Sequence, residues 1–456
     1  MTPRATDLGN GALGPDTGEE SPPRSFSWQV SLTFGGEMSR QLLVFGGGVL
    51  VARLLGPEGK GIVVVTGLLL LLLGIAGGLG VEAANIYLAG RREGSIKGLI
   101  ANSVLVLLIT SPPLMVATLV ALPLLQQTAL RGVPTAYIWL VTLALPAVLL
   151  QKYLYQILWG QQRFRAAVII LVAQSAFDVT LLAILVAGFR LGVLGAIIPL
   201  AVRPFTNTAL CALALRQPVR AYLPRLRREL FRRALHYGVR AQAGSLVQFI
   251  NYRFDLLLVN ALLSPAQAGL YSVSVAVAEL LWLLPNAIGR VLFPRTASSD
   301  PEAAIRFTSL VCRQTVLISL LSAIMLSAVA RILIPAFYGA RFAGAVTPFL
   351  VLLPGVIMLA VSRVVGNYLM GRGKPQYNSY AAGLAAVVTL VLDIVLIPRI
   401  GIIGAAFASS VAYGVAALAM LMWFMRFSGA SIGEVLLPRY EDLRSLRRRR
   451  AARGQL

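Results

Sequence analysis

Residues 166–187 read AAVIILVAQSAFDVTLLAILVA, a run of 22 residues in which Asp178 is the only charged side chain. An α-helix needs about 20 mostly apolar residues to cross the hydrocarbon core of a bilayer. A soluble fold cannot bury many stretches of this kind, so their number decides the fold class. Further long apolar stretches lie at 62–73, 99–125, 310–334 and 380–397. The sequence therefore predicts an all-α polytopic membrane protein.

Composition supports this class of protein. Hydrophobic residues make up 57% of the chain and charged residues 13%, against about 25% charged in soluble domains. Cys211 and Cys312 lie singly in apolar segments, and His236 is the only histidine, so neither a disulfide framework nor a metal site is expected. The sequence contains no P-loop and no catalytic constellation. We therefore expect no catalytic residues, no cofactor and no enzymatic activity.

Twelve apolar segments can be placed along the chain, with a Gly-, Pro- and acid-rich tail at 1–35 and a basic tail at 428–456. We expect the first tail to be disordered and both tails to be cytoplasmic. The segments fall at 36–55, 62–89, 98–124, 135–159, 166–188, 193–215, 236–262, 268–293, 308–335, 343–370, 377–397 and 402–425.

The positive charges outside these segments alternate between connectors. With a cytoplasmic N-terminus, 26 Lys and Arg residues fall on the inner side and five on the outer side. This split is a strong positive-inside signal and predicts a multi-pass protein of the cytoplasmic (inner) cell membrane. The formal net charge of +23 is therefore assigned to contacts with anionic lipid rather than nucleic acid. Leu223–Leu235, with leucines at helical spacing, is predicted to be an interfacial helix.

The chain also repeats itself at offsets of 208 to 211 residues. The matched stretches are LLGPEGKG at 54–61 and LLSPAQAG at 262–269, RLGVLGA at 190–196 and RIGIIGA at 399–405, and GQQR at 160–163 and GRGK at 371–374. Six spans per copy give both copies the same orientation. We therefore expect two pseudo-symmetric six-helix lobes, 36–215 and 236–427, joined by a basic linker at 216–235, with a pathway between the lobes as in transporters.

Ionisable side chains inside the spans are the candidates for a mechanism, because a charge in the bilayer must face protein or a water-filled cavity. Ten of them are basic and five are clearly acidic, which favours a cationic cavity and an anionic substrate such as a pyrophosphate. Asp178 with Arg203, and Arg253 with Glu279, can pair on consecutive helices, either as buried structural pairs or beside the cavity. The substrate-binding candidates are Arg203, Arg240, Arg253, Arg363, Asp255 and Glu279, and the coupling or structural candidates are Asp178, Asp393 and Glu82.

Several motifs resemble those of one family of transporters, and they occur in the same order. They are ARLLGPEG at 52–59, RFDLLLV at 253–259, AGLYS at 268–272, VLFPR at 291–295, GRGKP at 371–375, LDIVLIP at 392–398 and GIIGAA at 401–406. Over about residues 36–427 the chain resembles the Wzx-type oligosaccharide flippases of the MATE-like multidrug/oligosaccharidyl-lipid/polysaccharide superfamily.

This resemblance implies two six-helix bundles that move a polyprenyl-pyrophosphate-linked oligosaccharide to the outer leaflet by alternating access, for cell-surface polysaccharide assembly. An arginine-lined cavity would hold the pyrophosphate-sugar head, and polysaccharide polymerase and glycosyltransferases are the expected partners. Three alternatives stay open: a cation-coupled exporter of small amphipathic molecules, a lipid II flippase, and a membrane scaffold that recruits glycosyltransferases. The basic tail after Trp423 argues against the lipid II subgroup, which usually has two further C-terminal helices.

Overall fold

The structure, a computed structural model, describes residues 26–224, 227–282 and 300–436, and in addition residues 285, 292 and 296. Within these ranges the chain is helical and contains no strand. The helices are α1 Phe26–Gly78, α2 Val81–Gly90, α3 Ile96–Val120, α4 Leu122–Gln127, α5 Thr135–Leu143, α6 Leu145–Gly160, α7 Phe164–Leu182, α8 Gly192–Leu215, α9 Arg228–Leu262, α10 Pro265–Glu279, α11 Pro301–Tyr338, α12 Val346–Gly371, α13 Gln376–Ile400, α14 Ile402–Ser428 and α15 Ile432–Leu436. A π-helical turn extends α7 over Ala183–Gly188, and 3-10 turns occupy Val219–Tyr222, Leu280–Trp282 and Ala340–Ala345.

The number of membrane spans follows from the length and interruptions of these helices. Nine stretches of the described residues are long and apolar enough to cross a membrane. The first, Ser31–Gly78, has 48 residues and makes two spans, because Gly56 breaks the helix at φ 69° and Pro57 follows it. The polar helix α9 and the helix α10, which begin the seventh and eighth predicted segments, complete the twelve spans that the sequence predicts.

Three boundaries differ from the sequence prediction. The N-terminal tail is shorter than predicted, because α1 already begins at Phe26; residues 1–25 lie outside the described part. Residues 228–235 of the predicted interfacial helix belong instead to α9, which starts at Arg228 and continues without a proline to Leu262. The C-terminal tail contains α15, whose Val435 is buried, whereas residues 437–456 lie outside the described part.

The sequence repeat has a matching backbone repeat. Gly192 and Gly401, one between the fifth and sixth spans and the other between the eleventh and twelfth, both have positive φ, 59° and 64°. A second pair, Gln162 and Gly373, ends the fourth and tenth spans with φ of 58° and 73°. Each of these residues is followed by the same backbone hydrogen bond. Arg163 N donates to Leu158 O in the first copy, and Lys374 N donates to Leu369 O in the second. The two copies therefore share turn geometry as well as sequence.

The helices form a first lobe, α1–α8, and a second lobe, α9–α14. In the first lobe α1 packs on α7 and α2 packs on α6, and in the second lobe α12 and α13 both pack on α14. The lobes meet where α1 contacts α10 and where α2 contacts α9. Several large apolar side chains of α11 remain exposed, among them Leu321, Ile324 and Ile332, as expected for a helix in contact with lipid.

A reciprocal glycine contact joins the two lobes. A Cβ atom built on Gly61 would lie 1.7 Å from the carbonyl oxygen of Pro265, and one built on Gly269 would lie 1.9 Å from the carbonyl oxygen of Pro57. Gly61 and Gly269, like Pro57 and Pro265, are 208 residues apart, the offset of the repeat. The local two-fold axis therefore passes through this contact, where only glycine leaves room for the opposite backbone.

The two ends of the bundle differ in charge. The basic end carries the connectors around 91–97, 161–165, 216–227 and 372–375, and the opposite end those around 128–134, 189–191, 263–264 and 339–345. The two lobes touch each other at both ends of the bundle. At the opposite end Asn260 donates to the carbonyls of Ala129 and Arg131, at 2.9 and 3.1 Å. At the basic end the rings of Tyr87 and Tyr237 stack with centroids 4.8 Å apart.

Candidate functional site

A cavity of about 990 Å³ lies inside the second lobe, close to the basic end. Its walls come from α9, α12, α13 and α14. It extends to Met370 and Pro375, which flank the turn that separates α12 from α13. The size is that of pockets that bind small molecules, which run to roughly 1,000 Å³. The polar and aromatic residues of the lining are Gln248, Asn251, Tyr252, Ser362, Arg363, Asn367, Asn378, Ser379 and Tyr413.

Tyr252, Tyr413 and Arg363 line one side of this cavity, and Trp282, which is not a lining residue, packs against all three. The rings of Tyr252, Trp282 and Tyr413 lie with centroids 5.4 to 6.3 Å apart. The guanidinium carbon of Arg363 lies 4.5 Å from the centroid of the Trp282 ring and 6.0 Å from that of Tyr252. A guanidinium stacked on a ring is held in a fixed plane by the cation–π attraction. Arg363 therefore places a positive charge in the lining of the cavity.

Amide side chains supply the polar part of the lining. Asn251 donates to Ala382 O at 2.9 Å, Asn367 to Arg363 O at 2.8 Å and Asn378 to Gly366 O at 3.3 Å. The side-chain oxygen of Asn251 is buried and accepts no hydrogen bond from the described residues. An amide offers two donors and an acceptor, so a ligand with several hydroxyl groups finds complementary partners here.

Arg253 and Glu279, predicted as a pair on consecutive helices, form an ion pair outside the lining of this cavity. Two nitrogens of Arg253 face the two carboxylate oxygens of Glu279, at 2.6 and 3.2 Å. The side chains remain 33% and 25% exposed, so the pair is partly hydrated rather than sealed in the core. Such a bidentate pair fixes the geometry of both groups and still leaves one face of Arg253 accessible.

Asp255, two residues after Arg253, points to another face of α9. It is 3% exposed and accepts from Tyr271 Oη at 2.7 Å and from Ser409 Oγ at 3.3 Å. It does not line the cavity, in contrast to the sequence prediction that groups it with the substrate-binding residues. Its electrostatic neighbour is Asp393 on α13, which is 0% exposed.

The carboxylate of Asp393 accepts no hydrogen bond from the described residues at either oxygen. Two buried carboxylates that repel each other are stable only when a proton or a bound cation neutralises part of their charge. The described residues hold no group of three or more His, Cys, Asp or Glu side chains suited to a metal. Asp255 and Asp393 therefore form a buried carboxylate pair whose charge must be reduced by a proton or a bound cation.

The remaining predicted residues lie elsewhere. In the first lobe Arg203 and Asp178 are 3.7 Å apart, and Gln174 donates to Asp178 at 3.0 Å. Glu82, also in this lobe, interacts electrostatically with Lys152. Arg240 is exposed near the basic end of α9 and has no carboxylate within 4.0 Å among the described residues. Of the predicted substrate-binding residues, Arg363 lines the cavity, Arg253 and Glu279 pair with each other, and Arg203 pairs with Asp178 in the first lobe.

Sequence reasoning missed the aromatic and amide members of the site. Tyr252 stands next to Arg253, yet Trp282, Asn367 and Tyr413 come from three other segments and share no spacing. A weak signal was present, since four amides, Gln248, Asn251, Asn367 and Asn378, occur in or beside apolar spans. Polar residues at such positions are usually functional.

The described helices and their two lobes define the chain as a multi-span helical membrane protein. The model of the family described as polysaccharide biosynthesis protein matches residues 50–347. The chain therefore belongs to this family of polysaccharide biosynthesis proteins.

Individual relatives are distant. The probable low-salt glycan biosynthesis flippase Agl15 of Haloferax volcanii is 21% identical over 198 residues, 40% of each chain. The chain spans about two fifths of the length of the curated relatives it matches. Among solved structures, an inward-facing multidrug resistance MATE family transporter matches with a TM-score of 0.73 at 15% identity, over 88% of this chain and 98% of the other. The lipid II flippase MurJ in an inward closed conformation matches with a TM-score of 0.72 at 14% identity, over 87% and 90%. These likenesses establish the predicted two-lobed helical fold.

Proposed function

We propose that this protein is a flippase for a polyprenyl-pyrophosphate-linked oligosaccharide, working by alternating access in cell-surface polysaccharide assembly. The observation that carries the proposal is the cavity of about 990 Å³ in the second lobe, whose lining combines aromatic rings, amides and a guanidinium. The family of polysaccharide biosynthesis proteins, matched over residues 50–347, is consistent with this substrate class.

The lining suits a sugar. The C–H face of a pyranose ring stacks on an aromatic ring, and Tyr252 and Tyr413, which line the cavity and pack on Trp282, provide aromatic rings there. Neighbouring hydroxyls of a sugar each need a donor and an acceptor, which amides such as Asn251 and Asn378 provide together. An apolar drug would leave these polar groups unpaired, at a cost of about 1–3 kcal/mol each. The cavity therefore favours a glycan over a small amphipathic molecule.

The cationic members suit the pyrophosphate. A guanidinium binds phosphate oxygens with two parallel hydrogen bonds, and Arg363 is held in plane by Trp282 for this purpose. Arg253, next in sequence to the lining residue Tyr252, is paired with Glu279 and is not itself part of the lining. An organic cation, as exported by multidrug transporters, would meet the positive charge of Arg363 there and be repelled.

Orientation and coupling complete the proposal. The basic end faces the cytoplasm by the positive-inside rule, so both termini are cytoplasmic and the cavity near that end receives substrate from the inner leaflet. The lobes over 36–215 and 236–427 then rock about their shared contact.

Asp255 and Asp393 bind the proton or monovalent cation whose release accompanies reorientation. Glycosyltransferases that complete the oligosaccharide and a polymerase that consumes it are the proposed partners.

The test is complementation of a deletion strain. Without the protein, lipid-linked oligosaccharide should accumulate on the cytoplasmic leaflet, where externally added glycosidase cannot reach it. The wild-type gene should remove this accumulation. The Arg363→Gln variant should not, because losing the charge-assisted bonds to pyrophosphate costs about 1.5–3 kcal/mol, which is roughly a 10- to 150-fold loss of affinity.

Arg331→Gln is the matched control, since Arg331 is an exposed arginine of α11 that does not line the cavity. It should complement like the wild type at equal protein level. The Trp282→Leu variant tests the aromatic packing separately and should lower transport while leaving pyrophosphate binding measurable. Normal transport by Arg363→Gln, or equal losses in Arg363→Gln and Arg331→Gln, would contradict the proposal.

A further inference from the structure

A second cavity, of about 720 Å³, lies at the basic end and is separate from the glycan cavity. It is formed between the start of α3 and the segment that links the two lobes. Three basic side chains line it, Lys97, Arg220 and Arg227. Ala101, Val219 and Ala221 add an apolar edge. Val219 is 84% exposed, so this edge is open to a molecule that approaches along the membrane surface.

The charge of this cavity is not balanced by nearby acids. No carboxylate of the described residues lies within 4.0 Å of Lys97, Arg220 or Arg227. The acidic side chains of this region already have partners, because Glu93 is paired with Arg91 and Arg233, and Glu229 with Arg233. Three positive charges therefore share one concave surface without a counter-charge from the described part of the chain.

The position of Arg227 increases this imbalance. One guanidinium nitrogen lies 3.1 Å from the point that a Cβ atom of Gly98 would occupy, in the first turn of α3. The first backbone N–H groups of a helix carry partial positive charge and attract anions. Ser95 satisfies only one of them, by accepting from Gly98 N at 3.1 Å. A cation placed at this helix end is unfavourable by itself and becomes favourable when an anion lies between the two.

We propose that this cavity binds one phosphate-bearing group, which bridges Arg227 and Lys97 to the first turn of α3. The group comes either from an anionic lipid headgroup or from a soluble phosphate. Its binding fastens the segment before α9 to the first lobe. Because α9 begins one residue after Arg227 and contacts α2 along the lobe boundary, an occupied cavity stabilises the arrangement of the lobes at the basic end.

The experiment measures thermal unfolding of the full-length protein in a neutral detergent. Three probes are compared with buffer alone: phosphatidylglycerol, phosphatidylcholine and inorganic phosphate. Phosphatidylglycerol or inorganic phosphate should raise Tm by about 2 °C or more, whereas zwitterionic phosphatidylcholine should not. A rise with phosphatidylglycerol alone identifies the lipid as the source, and a rise with inorganic phosphate identifies the free anion.

Two variants of equal charge show whether the effect belongs to the cavity. The variant K97Q/R220Q/R227Q should lose the rise in Tm. The variant R92Q/R216Q/R232Q removes three exposed arginines near the same end that do not line the cavity, and it should keep the rise. Absence of any rise in the wild-type protein, or equal losses in both variants, would overturn the proposal.

A third variant adds an acidic side chain to the basic cavity itself. Gly98→Asp places a carboxylate beside Arg227, where a Cβ meets mainly the flexible end of that side chain. We expect Gly98→Asp to have a higher Tm than Gly98→Ala without any ligand, and to respond to phosphatidylglycerol or phosphate at most weakly. A full ligand response in Gly98→Asp would also overturn the proposal.

Discussion

Replacing Gly61 by alanine should disrupt the reciprocal glycine contact between the lobes. The new Cβ atom would lie 1.7 Å from the carbonyl oxygen of Pro265, with Gly269 N 3.0 Å away. The nearest colliding atoms belong to the opposite backbone, so no change of side-chain rotamer relieves the clash. The only relief is movement of α10 relative to α1.

The size of the effect follows from that distance. Real Cβ atoms are essentially never found closer than 3.0 Å to such a neighbour, so the separation must grow from 1.7 Å by at least 1.3 Å. Overpacking of this kind typically costs about 1–3 kcal/mol. Conformations in which the lobes are already apart at this point do not bear the cost. Their population relative to the present one should therefore rise roughly 5- to 150-fold.

Spin labels at Phe189 and Ile400 report the change, because both residues are exposed at the opposite end, one in each lobe. Double electron–electron resonance should show a longer or broader distance distribution in Gly61→Ala than in the labelled parent protein. The native cysteines Cys211 and Cys312 are buried and can be replaced by alanine beforehand. Thermal unfolding of the same variant should show a lower Tm.

Gly46→Ala and Gly414→Ala are the matched controls, since a Cβ at either position meets nothing within 4 Å. Both lie inside helices, where alanine is favoured over glycine by about 1 kcal/mol, and neither should alter the distance distribution. Gly269→Ala should act like Gly61→Ala, and the double variant should show less than the sum, because the first substitution already separates the lobes. Identical behaviour of Gly61→Ala and Gly46→Ala would refute this reasoning.

Three further predictions concern the charged side chains. Removing Arg253 or Glu279 alone should lower the free energy of unfolding by about 1–3 kcal/mol, and the double Gln variant should recover part of it; strictly additive losses in Tm would exclude the pair. Arg53→Gln removes the hydrogen bonds that Arg53 donates to the carbonyls at the end of α11, at a cost of about 1 kcal/mol. The same spin labels should therefore show a broader distance distribution. An unchanged distribution would show that these hydrogen bonds do not hold the two lobes together. Asp393→Asn should raise Tm because it removes one of two buried, mutually repelling carboxylates, and it should abolish transport; full transport would show that Asp393 has no part in coupling.

The order and number of spans could be predicted because each depends on local sequence. LLGPEGKG at 54–61 separates the first two spans, and the structure turns there at Gly56. Pairing of consecutive helices was also predictable from depth. Asp178 and Arg203 stand at similar distances from the turn at 189–191 and meet at 3.7 Å, and Arg253 meets Glu279 across the turn before α10.

Contacts between helices distant in the chain could not be predicted in this way. Asp255 and Asp393 lie on α9 and α13, and nothing in their local sequence states that these helices are neighbours. The same holds for Arg363 and Trp282, and for Lys97 and Arg227 in the basic cavity. The depth of a side chain in the membrane can be predicted from the span that carries it and the adjacent turn. The helices that neighbour this span depend on how all twelve spans pack together.

The repeat and the chemistry have different symmetry, and this difference bears on how such a protein can work. Gly61 and Gly269 occupy equivalent positions and touch on the local two-fold axis, so the contact treats both lobes alike. Asp255, Asp393 and the cavity lined by Arg363, in contrast, lie in the second lobe. Rocking of the two lobes about a symmetric contact needs matching backbones in both lobes. Binding of a substrate and of a coupling ion needs only one set of side chains. Substitutions at the glycine contact should therefore change the arrangement of the lobes without altering substrate affinity in the cavity, and substitutions of Arg363 should do the reverse.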